Sequence, residues 1–285
     1  MEGRARAAGA GTVLNALATK HGCAFAIDRY TTAEVVLQPD SPVTGTITDH
    51  PAADTTLIEQ CLTETLARFG PDPSMGGTVT TSSELPMASG LKSSSAAANA
   101  TVLATLSALG CADDVDRLDA IRVGVAAARE AGVTVTGAFD DASASMLGGL
   151  TMTDNANDEL LFRDALDRHV LVYTPPAQAL SADADVERCQ RLAPVAETIR
   201  SLAEAGKYEA AMTINGFAYS AALGFSADRM LEALPHVDGV SLSGTGPSTV
   251  AIGSETALDA VAAGWDQAPG SITKTTTTDK GAYII

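Results

Sequence analysis

The chain has 285 residues, enough for about two domains at roughly 150 residues each. With 46% of its residues in the apolar set and 19% charged, it is not disordered by composition, and no unbroken apolar run approaches the roughly 20 residues that a membrane helix needs. Thirty-five acidic against 18 basic residues leave a formal charge of −17, which excludes a basic face for nucleic-acid phosphates or for an anionic membrane surface.

In chain order, residues 9–15, 23–30 and 32–38 carry alternating or β-branched apolar residues bounded by Gly, Asp and Pro, and are predicted to open a sheet. Residues 54–68 place Leu57, Ile58, Cys61, Leu62, Thr65 and Leu66 at helical spacing, and Gly70-Pro71-Asp72-Pro73 stops that helix. A strand over 77–82 runs into the loop 84–95, which opens a long Ala-rich helix ending near Gly110; a second helix follows over 115–131. After Gly148-Gly149, strands are predicted at 150–153 and 169–173. Val186, Cys189, Leu192, Val195, Ile199 and Leu202 then mark one helix, which Pro194 is expected to kink. Helices over 207–222 and 227–234, strands over 237–242 and 249–252, a helix over 255–265, and strands over 271–277 and 282–285 complete the chain. This second-half order, β-α-α-α-β-β-α-β, predicts an antiparallel sheet with helices on one face: an α+β sandwich meeting the first half at a cleft.

Four cysteines, Cys23, Cys61, Cys111 and Cys189, are far apart, with no C-x-x-C pair and no H-E-x-x-H. Zinc therefore has no support, and a reducing cytoplasm is expected. The opening residues include Glu2, Arg4 and Arg6 rather than a basic and then apolar leader, which gives the same expectation. So large an acidic excess, with only five lysines, repels itself in dilute buffer. At molar salt the Debye length falls to about 3 Å, so a high-salt cytosol is the expected setting.

Three segments carry the chemistry. In Pro86-Met87-Ala88-Ser89-Gly90-Leu91-Lys92-Ser93-Ser94-Ser95, a strand ends in a Gly-containing loop and consecutive serines begin a helix. Unpaired N–H groups and the helix dipole make such a terminus a phosphate cradle, although an ordinary serine cap before a packing helix reads the same way. It is not a Walker A loop, because no Gly precedes Lys92 immediately. The second segment, 134–149, sets Asp140 and Asp141 among small residues after a turn at Gly137. There an acid has room to take a hydroxyl proton, or equally to cap a helix. In the third, Ser241-Leu242-Ser243-Gly244-Thr245-Gly246-Pro247-Ser248, the glycines permit a tight turn whose N–H groups form either an anion nest or a plain hairpin.

Taken together, in this order and spacing, the three resemble the motif set of the GHMP kinase superfamily, named for galactokinase, homoserine kinase, mevalonate kinase and phosphomevalonate kinase. Residues 86–96 resemble its P-x-x-x-G-L-x-S-S-A motif with one extra Ser, 137–141 its S-G-x-D-N motif, and 242–248 its glycine-rich motif, while Ala8 to Asn15 occupies the place of its first motif. Within the superfamily, Ser89 to Asn99 with Gly137-Ala138-Phe139-Asp140-Asp141-Ala142 is most similar to the archaeal-type shikimate kinases.

The resemblance implies a two-domain GHMP fold, with an N-terminal mixed α/β domain over 1–153 and a C-terminal ferredoxin-like α+β sandwich over 154–285. It implies ATP held by Pro86, Ala88, Ser89, Gly90, Leu91, Lys92, Ser93, Ser94 and Ser95 together with Gly244, Thr245 and Gly246. Mg²⁺ falls to Ser93 or Ser94 and, with a one-residue gap, to Glu130. Asp140 takes the catalytic position, and Asp141 stands where the superfamily has Asn, which leaves open which acid is the base. The implied reaction is phosphoryl transfer from ATP to the 3-hydroxyl of shikimate. Lys92 is placed to reach a phosphate or the substrate carboxylate, and Arg4, Arg6, Arg29 and Arg129 are the candidates for a carboxylate fork. The competing readings are a homoserine kinase and a non-catalytic ligand sensor; retention of an acid and a metal site argues against the sensor.

Overall fold

A computed structural model describes residues 1–134, 138–177, 179 and 184–285. The first half runs β1 (Glu2–Leu14), β2 (His21–Pro39), β3 (Val43–Ile47), α1 (Thr56–Phe69), β4 (Met75–Ser83), α2 (Ser93–Leu109), α3 (Arg117–Glu130), α4 (Phe139–Leu147), β5 (Leu150–Asp154) and β6 (Glu159–Asp164). The second half runs β7 (His169–Thr174), α5 (Val186–Gln190), α6 (Ala193–Glu204), α7 (Tyr208–Leu223), α8 (Asp228–Ala233), β8 (Gly239–Leu242), β9 (Thr249–Gly253), α9 (Glu255–Trp265), β10 (Ser271–Thr276) and β11 (Tyr283–Ile284).

β2 organises the larger sheet. One edge pairs with β1; the other is divided, its first residues pairing with β5 (Cys23 with Met152) and its last with β4 (Val35 with Val79). The two strands predicted at 23–30 and 32–38 are one strand, bulged where Ala8 pairs with Tyr30 and Gly9 with Ile27, so Asp28 and Arg29 loop out without ending the pairing. The edge strands β3 and β6 and the helix α4 have no counterpart in the sequence-based expectation. β3 and β6 alternate half-buried and exposed residues, and so lack the apolar runs by which strands are recognised. The helix expected over 186–202 is two: it breaks at Arg191 and Leu192, and Pro194 lies in the first turn of α6, where a missing N–H costs nothing.

The smaller sheet has the order β10-β7-β9-β8, every neighbour antiparallel. With the helices α5 to α8 between β7 and β8, and α9 between β9 and β10, this is the ferredoxin-like sandwich. β11 does not join it but returns to pair with β1. The two halves share one core, in which Leu103 and Ile121 belong to the same apolar cluster as Tyr208, Met212 and Ile252. α2 is buried on nearly every side and lies so close to β1 that a Cβ on Gly3 would fall 2.1 Å from the Ala104 carbonyl oxygen. Asn99 donates from Nδ2 to the Ala142 carbonyl at 2.9 Å and ties α2 to α4. That packing fixes where the two helices begin.

Candidate active site

α2 and α4 start into the same cleft. Lys92, the cap of α2, sits in the left-handed region at φ 65°, and its ammonium lies 2.8 Å from Asp141 Oδ1 in the first turn of α4. No side chain caps α2 and no acid occupies its first turn, so the N–H groups beside Ser93, Ser94 and Ser95 face the cleft with the dipole's positive end uncompensated. Two segments singled out from the sequence, about 50 residues apart, thus meet in one cleft.

The glycine loop after β8 locks onto the loop before α2. Ser243 donates from Oγ to the Gly90 carbonyl at 2.9 Å, and the Ser248 N–H donates to the Ser89 carbonyl at 3.2 Å. A Cβ on Gly90, whose φ is +82°, would lie 2.1 Å from the Ser243 carbonyl oxygen; one on Gly244 would lie 2.7 Å from the Lys92 ammonium. These glycines are needed for close approach as well as for turn geometry. The loop is also tied to β1: the Gly244 N–H donates to Thr12 Oγ1 at 2.8 Å and Asn15 Nδ2 donates to the Gly244 carbonyl at 2.8 Å. The Asn15 N–H in turn donates to Asn215 Oδ1 at 2.9 Å. Thr12 and Asn215 were not singled out from the sequence; as isolated polar residues they have no local signal.

Asp140 is 5% exposed. Asn155 Nδ2 donates to its Oδ1 at 2.7 Å, and the Asp140 N–H donates back to Asn155 Oδ1 at 3.1 Å. Gly22 on β2 leaves room for the carboxylate, since a Cβ there would fall 2.4 Å from Asp140 Oδ2. Burial first, and then the neighbouring Asp141 carboxylate, push the Asp140 pKa up to about 7, against the pull of Lys92 and of the Asn155 hydrogen bond. Such an upward shift suits a carboxyl group to exchanging a proton near neutrality.

The cleft encloses about 600 Å³ and is lined by Ala88, Ser89, Gly90, Lys92, Ser93, Ser94, Ser95, Asp140, Asp141, Gly244 and Thr245 from the predicted set. Pro86, Leu91 and Gly246 stand behind this lining. The Pro86 carbonyl accepts from Ser89 Oγ at 2.8 Å, Leu91 is buried in the core, and the Gly246 N–H closes a turn onto the Ser243 carbonyl at 2.9 Å. Gly137 lies outside the described residues.

Glu130 is not brought to the cleft. Gly124 and Ala128 line it from one face of α3, and at 3.6 residues per turn Glu130 falls on the opposite, exposed face. Nor do the four arginine candidates reach it. Arg4 pairs with Glu34 at 2.8 Å, Arg6 pairs with Glu84, Arg29 donates to the Lys274 carbonyl at 3.0 Å, and Arg129 forks onto Asp158 at 2.7 and 2.6 Å. Among the described residues Lys92 is the one cation lining the cleft, and no group of three His, Cys, Asp or Glu side chains is arranged to hold a metal.

A nucleotide-sized cleft that joins an uncapped helix start, a glycine loop and a buried acid is the site of a phosphoryl-transfer enzyme, and comparison with known proteins agrees. Residues 56–149 match the GHMP kinases N terminal domain. The whole fold superposes on a mevalonate kinase crystal structure with a TM-score of 0.77 at 13% identity, covering 98% of this chain and 100% of the other. It superposes on homoserine kinase from Cytophaga hutchinsonii with a TM-score of 0.75 at 18% identity, covering 100% and 97%. The chain belongs to the GHMP kinases, in the branch of the archaeal shikimate kinases. It is 59% identical to shikimate kinase of Halobacterium salinarum over 99% of both chains, and 50% identical to that of Methanosarcina mazei over 99% of this chain and 96% of the other. The Halobacterium source accords with the high-salt setting that the charge balance implies. No helix among the described residues is long and apolar enough to cross a membrane.

Proposed function

We propose that this chain phosphorylates the 3-hydroxyl of shikimate with ATP, giving shikimate 3-phosphate and ADP. The observation that carries the reading is the Lys92–Asp141 contact, which unites the start of α2 and the acids of α4 in one cleft. Similarity to homoserine kinase is structural, at 18% identity, and bears on the fold alone, whereas the full-length relatives at 59% and 50% are shikimate kinases.

Phosphoryl transfer asks a protein mainly for positioning and charge compensation. The N–H groups and hydroxyls from Gly90 to Ser95, with the Gly244–Gly246 loop, hold the triphosphate. Lys92 offsets charge on the transferring group. Asp140 orients the acceptor hydroxyl and takes its proton as the new oxygen–phosphorus bond forms and the bond to the ADP oxygen breaks; Asp141 holds Lys92. Mg²⁺ carried with the nucleotide would be held on this chain by the Ser94 hydroxyl, which lines the cleft, with Glu130 taking no part. The chemistry the ion would supply there is neutralisation of developing phosphate charge.

The test is a substrate panel in concentrated KCl. Shikimate is expected to be phosphorylated in an ATP-dependent reaction and homoserine to be inert; turnover of homoserine without shikimate overturns the proposal.

A further inference from the structure

Asp140 owes its position to a residue that none of the sequence motifs contains. Asn155 follows β5 directly and is 2% exposed. Its backbone N–H donates to the Lys20 carbonyl at 2.9 Å, which fixes the turn that presents it. Its Oδ1 accepts twice, from Thr153 Oγ1 at 2.7 Å and from the Asp140 N–H at 3.1 Å. With two donors converging on that oxygen, the amide has only one orientation that satisfies them. Nδ2 is thereby aimed at Asp140 Oδ1, 2.7 Å away. Asp140 is thus gripped at its backbone and at its carboxylate by one side chain, itself locked by Thr153.

We infer that Asn155 is a positioning residue for phosphoryl transfer, fixing the Asp140 carboxylate toward the acceptor hydroxyl through a donated hydrogen bond. This rests on the proposed kinase reading for the identity of the acceptor, but not for the effect on Asp140. The groups facing Asp140 leave Asn155 a clear task. Asp141 on the same helix and burial favour the protonated acid; Lys92 from the start of α2 favours the carboxylate. The Cys23 thiol of β2 and the Tyr219 hydroxyl of α7, both also held protonated largely by burial, supply no charge. The groups that favour the ionised base are therefore Lys92, which a bound phosphate would draw away, the Asp141 backbone N–H, and the Asn155 side chain, which is buried and fixed. A hydrogen bond to a charged group moves a titration by about one to two pH units.

The experiment follows the Asp140 carboxyl carbon by NMR across pH, its resonance assigned by its loss in Asp140→Asn, alongside kcat and KM profiles. Asn155→Ala is expected to raise the Asp140 titration by about one to two pH units and to move the acid limb of the rate profile with it. It should also lower kcat at pH 7 at least tenfold with KM for ATP within about threefold. Asn155→Asp, which keeps the shape and both accepted hydrogen bonds but replaces the donor by an acid, is expected to raise the titration further. If Asn155→Ala does not fold, this isosteric variant decides. A titration left in place by the folded variants, or a loss confined to KM, overturns the inference. Because the NMR titration needs no turnover, failure of the wild type to phosphorylate shikimate would refute the kinase proposal while leaving the role of Asn155 separately measurable.

Discussion

The starts of α2 and α4 are built alike and do opposite work. Each follows a residue in the left-handed region, Lys92 at φ 65° and Ala138 at φ 50°, each lacks a side-chain cap, and both open on the same cleft. α2 fills its first turn with serines and leaves its dipole to an incoming anion; α4 fills its first turn with Asp140 and Asp141. A helix start favours ionised acids by about 0.3–1 kcal/mol, yet Asp140 titrates high because burying a carboxylate costs several kcal/mol and outweighs the dipole. The same backbone device thus leaves an uncompensated positive end where it meets the open cleft and holds a buried acid where it is covered by β2 and β5. Lys92, planted on one start and bonded to the other, couples the two.

The sharpest way to break that pairing is Asp140→Asn. Turnover is expected to fall about 10³-fold while ATP, if the other helix start holds it as proposed, binds within about threefold of wild type, as steady-state kinetics and equilibrium binding would record. The same variant has a signature in stability. A buried acid whose folded pKa is raised binds its proton more tightly in the native state, so its contribution is full below about pH 4 and is lost as pH rises through about 7. Asp140→Asn should therefore melt at a higher temperature than wild type at pH 8, with the advantage gone near pH 4.

Lys92→Ala cuts the link between the two starts. We expect kcat/KM to drop about 10²-fold, the size of effect seen when one charge-stabilising donor is removed, and the acid limb of the pH profile to move upward because Asp140 loses its neighbouring cation. An unmoved limb would show that the two starts act independently. Glu130→Gln gives the smallest effect: since it lies on the exposed face of α3, activity and its Mg²⁺ dependence should stay within about twofold of wild type. A large loss would mean that the cleft closes far enough to bring α3 round.

Residues whose role is local were legible before any coordinates. Gly90 and Gly244 announce positive φ and close approach by lacking a Cβ, the serine run announces a helix start, and the β-α-α-α-β-β-α-β order of the second half announces its sheet. That Glu130 and the four arginines stand outside the lining of the cleft was hidden for one reason. Residue type and sequence distance say nothing about which face of α3 meets the cleft, or whether a guanidinium already has a carboxylate or carbonyl partner, as Arg4, Arg6, Arg29 and Arg129 all do. Asn155 and Asn215 were invisible because each acts on a residue remote in the chain, Asp140 and Asn15, through a single amide with no accompanying pattern.

The amino-acid order, through its resemblance to a family's motif set, pointed to the class of protein and marked the two cleft-forming segments, because backbone freedom at glycine, hydroxyls at a helix start and paired acids are properties that a residue carries wherever it goes. Only the tertiary structure decided which acid is buried, which cation reaches it and which amide holds it. Desolvation and hydrogen bonding depend on what the rest of the chain brings within about 3 Å, and that is settled by packing.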